Sequence, residues 1–176
     1  MALGFKRVKS REGIPVSQVD FENAQGGFSL EMTGLIPGEE IPAGSLFIYD
    51  EQTRKARLVR TAKVFEAVSS AQTVKVAKRH TVKAGSTIEG VEITSVDTEN
   101  EEYDVLNFAT VITAGLGDVL SSESTEGKHT GLLYQSLFAE EDETLSIAIR
   151  CTVYANRIPP VSREQIPDTI LLSFSN

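Results

Sequence analysis

Tryptophan is absent from this 176-residue chain, cysteine occurs once, at Cys151, and histidine twice, at His80 and His129. A single cysteine excludes an intrachain disulfide, so the fold must be held by packing and hydrogen bonds. Cys151 stands in an alternating apolar stretch and reads as a small buried hydrophobe rather than a nucleophile. Neither histidine has a cysteine, histidine or carboxylate beside it at metal-ligand spacing, and each reads as a loop or strand-end residue. No G-x-S-x-G elbow is present, and the glycines form neither G-x-x-x-x-G-K-[ST] nor G-x-G-x-x-G. The sequence therefore points to no enzyme, no metal and no cofactor. No apolar run is long enough to cross a bilayer, and the leader MALGFKRVKSREG has no apolar signal-peptide segment. The expectation is a protein made in the cytoplasm.

What is present favours strands. Aromatic residues make up only 7% of the chain against 40% hydrophobic residues overall, so the core is built chiefly from Val, Ile and Leu. That apolar content is enough for a globular domain. The formal net charge is -8, which opposes general affinity for nucleic acid. Against that background the start of the chain is basic, with Lys6, Arg7, Lys9 and Arg11 ahead of the first acid, Glu12. Such a leader is either a solvated arm or one that orders on an acidic partner.

Residues 15–38 are rich in turn signals, with one short alternating run at Phe28, Leu30 and Met32 that reads as a strand joining the edge of the domain. Residues 41–65 read as a hairpin. Pro42-Ala43-Gly44-Ser45 has type II turn chemistry with Gly44 at the positive-φ position, and Leu46, Phe47, Ile48 and Tyr49 follow as an apolar strand. A helix over residues 53–70 is the competing reading, because Lys, Arg, Ala and Glu are good helix formers, but Leu58, Val59, Val64, Phe65 and Val68 give no clean helical stripe. In residues 74–88, VKVAKRHTVKAGSTI, an alternating run ends in a basic patch and then a turn with Gly85 in the role of Gly44. Thr113-Ala114-Gly115-Leu116 reads as a third such corner, with Gly115 as its glycine, and small barrels turn their corners in this way.

Residues 97–104, DTENEEYD, read as the acidic tip of a long hairpin whose return strand covers residues 103–113. Asp97, Glu99, Glu101 and Asp104 are spaced like calcium ligands, but the loop lacks the glycine and final glutamate of an EF-hand, so a solvated tip is the better reading. Residues 121–131 form a polar loop, residues 132–138 a strand or one helical turn, and residues 139–143 a second acidic loop. Residues 145–156 carry the strongest strand pattern, with Leu145, Ile147, Ile149, Cys151, Val153 and Ala155 on one face. Pro159-Pro160 stops it, Ser162 with Gln165 has capping-box form, and residues 170–174 end the pattern as a short strand. The basic residues Lys75, Lys78, Arg79 and Lys83 either bind an anion or are a solvated strand face paired with the acidic loops.

These features predict a mainly β fold: a small barrel-like domain over residues 35–176, an extended N-terminal arm over residues 1–34, and at most short helices. Three stretches carry a resemblance: IPAGSLFIYDEQTRKARLVRTAKV, VKVAKRHTVKAGSTIEG and LSIAIRCTVYANRIPP. They resemble head-fibre and capsid-decoration proteins of tailed bacteriophages, including crass-like phages of gut bacteria. The Ala-Gly corner is similar to that of the β-tulip domain of lambdoid head-decoration proteins. The resemblance covers residues 35–176 and rests on structural motifs. It implies a virion protein on the capsid exterior, a partner in the major capsid protein, and a homotrimer without direct contacts to nucleic acid or membrane. It also implies attachment through the N-terminal segment, here Phe5, Lys6, Arg7, Lys9, Arg11, Phe21 and Phe28. The chain departs from the pattern in having no long distal fibre, which implies a fibre base or compact decoration protein. A carbohydrate- or surface-binding β module is the alternative, although such modules present exposed aromatic platforms and this chain has no tryptophan.

Overall fold

The computed structural model describes residues 17–166 and 171–175. Its elements are strands β1 (Ser17–Asn23), β2 (Phe28–Leu30), β3 (Glu40–Ile41), β4 (Leu46–Asp50), β5 (Lys55–Leu58), β6 (Thr61–Lys63), β7 (Val68–Ala77) and β8 (Thr87–Ile88). They continue with β9 (Val91–Asp97), β10 (Tyr103–Ala114), β11 (Val119–Ser121), β12 (His129–Leu133), β13 (Leu137–Phe138), β14 (Thr144–Leu145), β15 (Ile147–Tyr154) and β16 (Leu171–Ser175). Two single 3-10 turns, Ala155–Arg157 and Arg163–Gln165, are the helical elements among the described residues. The fold is mainly β, as the residue pattern predicts.

An eight-stranded sheet in the order β1-β15-β12-β4-β5-β2-β14, with β16 also on β15, curls into a half-barrel. Strand β4 shows why this sheet is buried on both faces. Phe47 and Tyr49 pack into one apolar cluster with Phe28, Ile41, Leu133 and Ile147. Leu46 and Ile48 pack into another with Val59, Leu132, Cys151 and Val153. A continuous apolar run, LFIY, is what a strand covered on both sides requires. Strands β4 and β5 form the expected hairpin, with Phe47 opposite Leu58.

The partner strand of that hairpin does not run unbroken to residue 65. It stops at Leu58, and after Val59 and Arg60 the chain re-enters as β6, which pairs with β11 instead. A second, four-stranded sheet in the order β7-β10-β9-β8 follows, and its inner face, with Val74, Val76, Ile93, Leu106 and Phe108, closes a third apolar cluster. The β9–β10 hairpin is as the sequence pattern predicts, but its tip is narrower than residues 97–104, since Asp97 ends β9 and Tyr103 and Asp104 begin β10. Strand β7 pairs with β10 from Tyr103↔Ala77 to Ala114↔Val68, so strand, not helix, holds residue 68 onward.

Strand β15 lies beside β1 on one edge and beside β12 and the parallel β16 on the other. Its apolar face is not one face throughout. Ile147 belongs to the first cluster and Cys151 and Val153 to the second, while Ile149 packs against both. The register shifts in its pairing with β1 rotate the strand between them. Residues 132–138 form β12 and β13 rather than a helical turn. The capping box at Ser162 is formed, with its backbone N–H donating to Gln165 Oε1 at 2.9 Å.

Three expectations need correction. Inside the segment expected as an arm, β2 is the expected short strand, but β1 is a further strand hydrogen-bonded along β15, so residue 34 marks no break between arm and body. Phe28, expected among the attachment residues, is 2% exposed and faces Tyr49 at a ring-centroid distance of 4.9 Å. The third corner is displaced by two residues: the turn is Gly115-Leu116-Gly117-Asp118, closed by Asp118 N–H to Gly115 O at 3.3 Å, and Gly117 rather than Gly115 holds the positive φ, at 84°. Gly115 instead donates its N–H to Asp118 Oδ2 at 2.7 Å. Gly44 (φ 83°) and Gly85 (φ 82°) have the expected role.

Candidate functional site

The site residues expected from sequence fall into three groups. Phe5, Lys6, Arg7, Lys9 and Arg11 lie outside the described residues. Phe21 is in β1, and its side chain is likewise outside the description. Phe28 is in the core, as described above. β1 runs antiparallel to β15 with Ser17 opposite Val153, so β1 begins at the C-terminal end of β15.

The same end of β15 carries a cluster of cationic side chains. Arg157, in the 3-10 turn after β15, has its guanidinium carbon 4.1 Å from the centroid of the Tyr154 ring. Arg79, from the loop after β7, donates from Nη1 to the backbone carbonyl of Arg157 at 3.2 Å. Both arginines are exposed. Residues 78 and 80, on either side of Arg79, point elsewhere. Lys78 Nζ lies 2.5 Å from Asp104 Oδ1, and His80 Nε2 lies 3.1 Å from Asp104 Oδ2.

Asp104 is therefore no member of a solvated acidic tip. It is 5% exposed and sits on the inward face of β10, in step with Leu106 and Phe108. That parity was readable from the sequence, since residues 104, 106 and 108 alternate onto one face. His80 is also enclosed, with a side chain 7% exposed and neither ring nitrogen aligned in a hydrogen bond. Burial pushes its pKa below the usual histidine value, and the adjacent Asp104 charge offsets this only in part. The other basic residues of the stretch are separate. Lys75 pairs with Glu66 at 2.7 Å on the outer sheet face. Pairing with the acidic residues of the long hairpin thus holds for Lys78, whereas Lys75 lies on the outer strand face and pairs with Glu66, outside the acidic loops.

A second buried charged group, which sequence reasoning missed, ties the two sheets together. Arg60, 5% exposed, stands where the chain leaves β5 for β6. It donates to Glu39 Oε1 at 2.6 Å, to Gly34 O at 2.9 Å and to Thr81 O at 2.5 Å. Thr81 Oγ1 also accepts from the Thr61 N–H at 2.8 Å. A charged residue at the end of an apolar strand, LVR, gives no signal in sequence that distinguishes it from an exposed strand end. Arg57, Glu123 and Lys128 form a further ion-pair group on the surface, at 2.6 and 3.0 Å.

The chemistry available elsewhere is limited. Cys151 is buried, and burial pushes its thiol pKa up to about 11, so at neutral pH it is an unreactive thiol. Among the described residues no group of three His, Cys, Asp or Glu side chains is placed to hold a metal ion. No helix among them is long and apolar enough to cross a membrane. An open cleft of about 540 Å³ lies between the turn at residues 115–118 and the Arg163–Gln165 turn, lined by Glu89, Thr113, Asp118, Ser162, Arg163 and Glu164 among others. Compared with protein-family models, curated proteins and solved structures, the chain matches none.

Proposed function

We propose that this chain is a structural, non-catalytic virion protein: a capsid-exterior decoration protein or head-fibre base of a tailed bacteriophage, with a β-tulip-like body, which binds the major capsid lattice as a trimer. The observation that carries the reading is the charge arrangement. Four cations within the first 11 residues, Lys6, Arg7, Lys9 and Arg11, precede a body that leaves the whole chain at -8. The first described strand after them, β1, begins beside the end of β15 that carries Tyr154 and Arg157. The resemblance of the stretches around Gly44, Gly85 and Arg150 supports it further. An arm that orders on a shell contributes backbone hydrogen bonds and apolar anchors. Three copies acting together raise the avidity of individually weak arms.

Deleting residues 1–13 and measuring copurification with capsids of the cognate major capsid protein tests the attachment. Binding should be lost or strongly reduced, and undiminished binding removes the arm from the mechanism. Sedimentation should give a trimer, and a stable monomer at high concentration refutes that part.

A second reading, a carbohydrate- or surface-binding module, has one observation in its favour. Phe65 is 43% exposed and its ring lies 5.4 Å from that of Tyr103, beside Lys75, giving a small aromatic platform on the outer sheet face. Reproducible hits on a glycan array that disappear with Phe65→Ala would favour it over the first.

A further inference from the structure

Three titratable groups, Lys78, His80 and Asp104, meet where β7 ends and β10 begins. Asp104 stands opposite Val76 in the β7–β10 register. Lys78 follows two residues beyond Val76, with the same inward parity. Lys78 and Asp104 are therefore diagonal neighbours across an antiparallel pair. Lys78 Nζ lies 2.5 Å from Asp104 Oδ1 and 3.4 Å from the Thr98 carbonyl oxygen. His80 Nε2 lies 3.1 Å from the second carboxylate oxygen, Oδ2. The same inward strand faces carry Val74, Val76, Leu106 and Phe108, all buried.

As an ion pair the group is poorly compensated. The Asp104 carboxylate is enclosed, yet its one cation, Lys78, keeps 35% of its side chain in solvent. Neither ring nitrogen of the enclosed His80 is aligned in a hydrogen bond. A buried charge held in this way carries a desolvation cost that its partner offsets only in part. The exposed pair Lys75–Glu66 has no such cost.

We propose that Lys78 and Asp104 condense into an intramolecular isopeptide bond between Nζ and Cγ, with His80 as the hydrogen-bond donor to the reacting carbonyl. The ammonium first passes a proton to Oδ1 along the existing hydrogen bond, leaving a neutral amine and a carboxylic acid. The Nζ lone pair then attacks Cγ, and the carbonyl electron pair moves onto Oδ2. Facing that oxygen, a neutral imidazole carries its proton on Nε2, and the developing negative charge draws the donor into line. The electron pair on Oδ2 returns to re-form the carbonyl, and the Cγ–Oδ1 bond breaks. Oδ1 leaves as water with a second proton from Nζ. Two protons and one oxygen depart, nothing is oxidised or reduced, and no co-reactant is needed. Holding amine and acid in contact supplies an effective concentration of roughly 10⁵ M or more.

The product removes both charges from the site. Its N–H remains beside the Thr98 carbonyl, and its carbonyl accepts from His80. It also takes away the Asp104 charge that partly holds the His80 pKa up, so the sense of that shift is unchanged. The bond would tie residues 26 positions apart and enclose β8, β9 and the acidic tip. Such a cross-link restrains the unfolded chain as a disulfide does, in a protein whose single cysteine allows none. It is independent of the virion reading.

The test is intact-mass spectrometry of the full chain under denaturing conditions, sampled over time after cell-free synthesis. The wild-type chain should become lighter than its sequence requires by one water. Trypsin should then yield residues 76–79 joined to residues 84–128, because an acylated Lys78 is no longer cleaved. Lys78→Arg keeps the cation but has no amine to acylate, and should keep its full mass. His80→Phe keeps the ring without the donor and should slow the loss of water by about a hundredfold or more. A wild-type chain that retains its full mass overturns the proposal. So does a loss of water that persists in Lys78→Arg, or one that fragmentation places within a single peptide. An unchanged rate in His80→Phe overturns the part assigned to His80.

Discussion

Gly44→Ala and Gly85→Ala should destabilise the protein by different amounts, although the two glycines occupy the same position of the same turn. The turns match closely: Ser45 N–H to Pro42 O at 3.2 Å in one, Ser86 N–H to Lys83 O at 3.1 Å in the other, with φ values of 83° and 82°. In both, alanine must adopt the left-handed conformation, at a cost of roughly 1–2 kcal/mol. The surroundings differ. A Cβ at Gly85 meets nothing within 4 Å, whereas one at Gly44 would lie 2.6 Å from Ile158 Cβ and closer still to its Cγ2. Ile158 is 4% exposed and packed in the second cluster, so it has little room to retreat. Overpacking of this kind adds roughly 1–3 kcal/mol.

Urea unfolding followed by circular dichroism should therefore show Gly44→Ala losing about 2–5 kcal/mol and Gly85→Ala about 1–2. A double-mutant cycle isolates the cause. Ile158→Ala alone should cost about 2–5 kcal/mol as a cavity, but distinctly less when Gly44→Ala is already present, because the truncation relieves the clash. Equal losses at the two glycines, or additivity of Gly44→Ala with Ile158→Ala, would refute the reasoning.

Arg60→Met should be among the most damaging single changes, costing about 3–5 kcal/mol by leaving Glu39 buried without its cation. The Arg60→Met, Glu39→Leu double variant should recover part of that loss in the same urea assay, and no recovery would argue against an uncompensated charge as the cause. His80 should give the protein a pH-dependent stability near neutrality. Its folded pKa lies below the ordinary 6.5, so its contribution is present above that pH and is lost as pH falls below it. The charges facing it are Asp104, which opposes the shift, Lys83, which adds to it, and Lys78 on the same carboxylate. Melting temperature should fall from neutral pH to about pH 5 in wild type and fall less in His80→Gln. Glu123, whose pKa burial raises but Arg57 and Lys128 together bring below the ordinary value, acts at more acid pH, below 4.5. Identical slopes for the two proteins would remove His80 from the account.

Much of the fold was legible because its signals are local. The apolar run at residues 46–49, the alternation at residues 145–153 and the Pro-Ala-Gly-Ser turn each act through a few neighbouring residues, and each formed where the pattern places it. The displaced third corner shows the limit of that reasoning. Gly115 and Gly117 are both within reach of the turn, and the choice falls to Gly117 because the Asp118 carboxylate accepts the Gly115 N–H and sets the frame. The site was less legible. The basic patch at residues 75–83 was plain, but not that Lys75, Lys78 and Arg79 would go to three different partners.

The sequence by itself determined a mainly β chain, its hairpins, two of its three glycine corners and a basic leader on an acidic body, since periodicity, turn chemistry and charge are properties of short stretches. Only the tertiary structure decided that residues 17–23 join the main sheet, that Arg60 and Asp104 are buried ion-pair centres, and that Arg79 meets Arg157 across 78 positions of sequence. These are long-range pairings between strand edges and side chains. Many partners satisfy the same local pattern, and burial and register select among them.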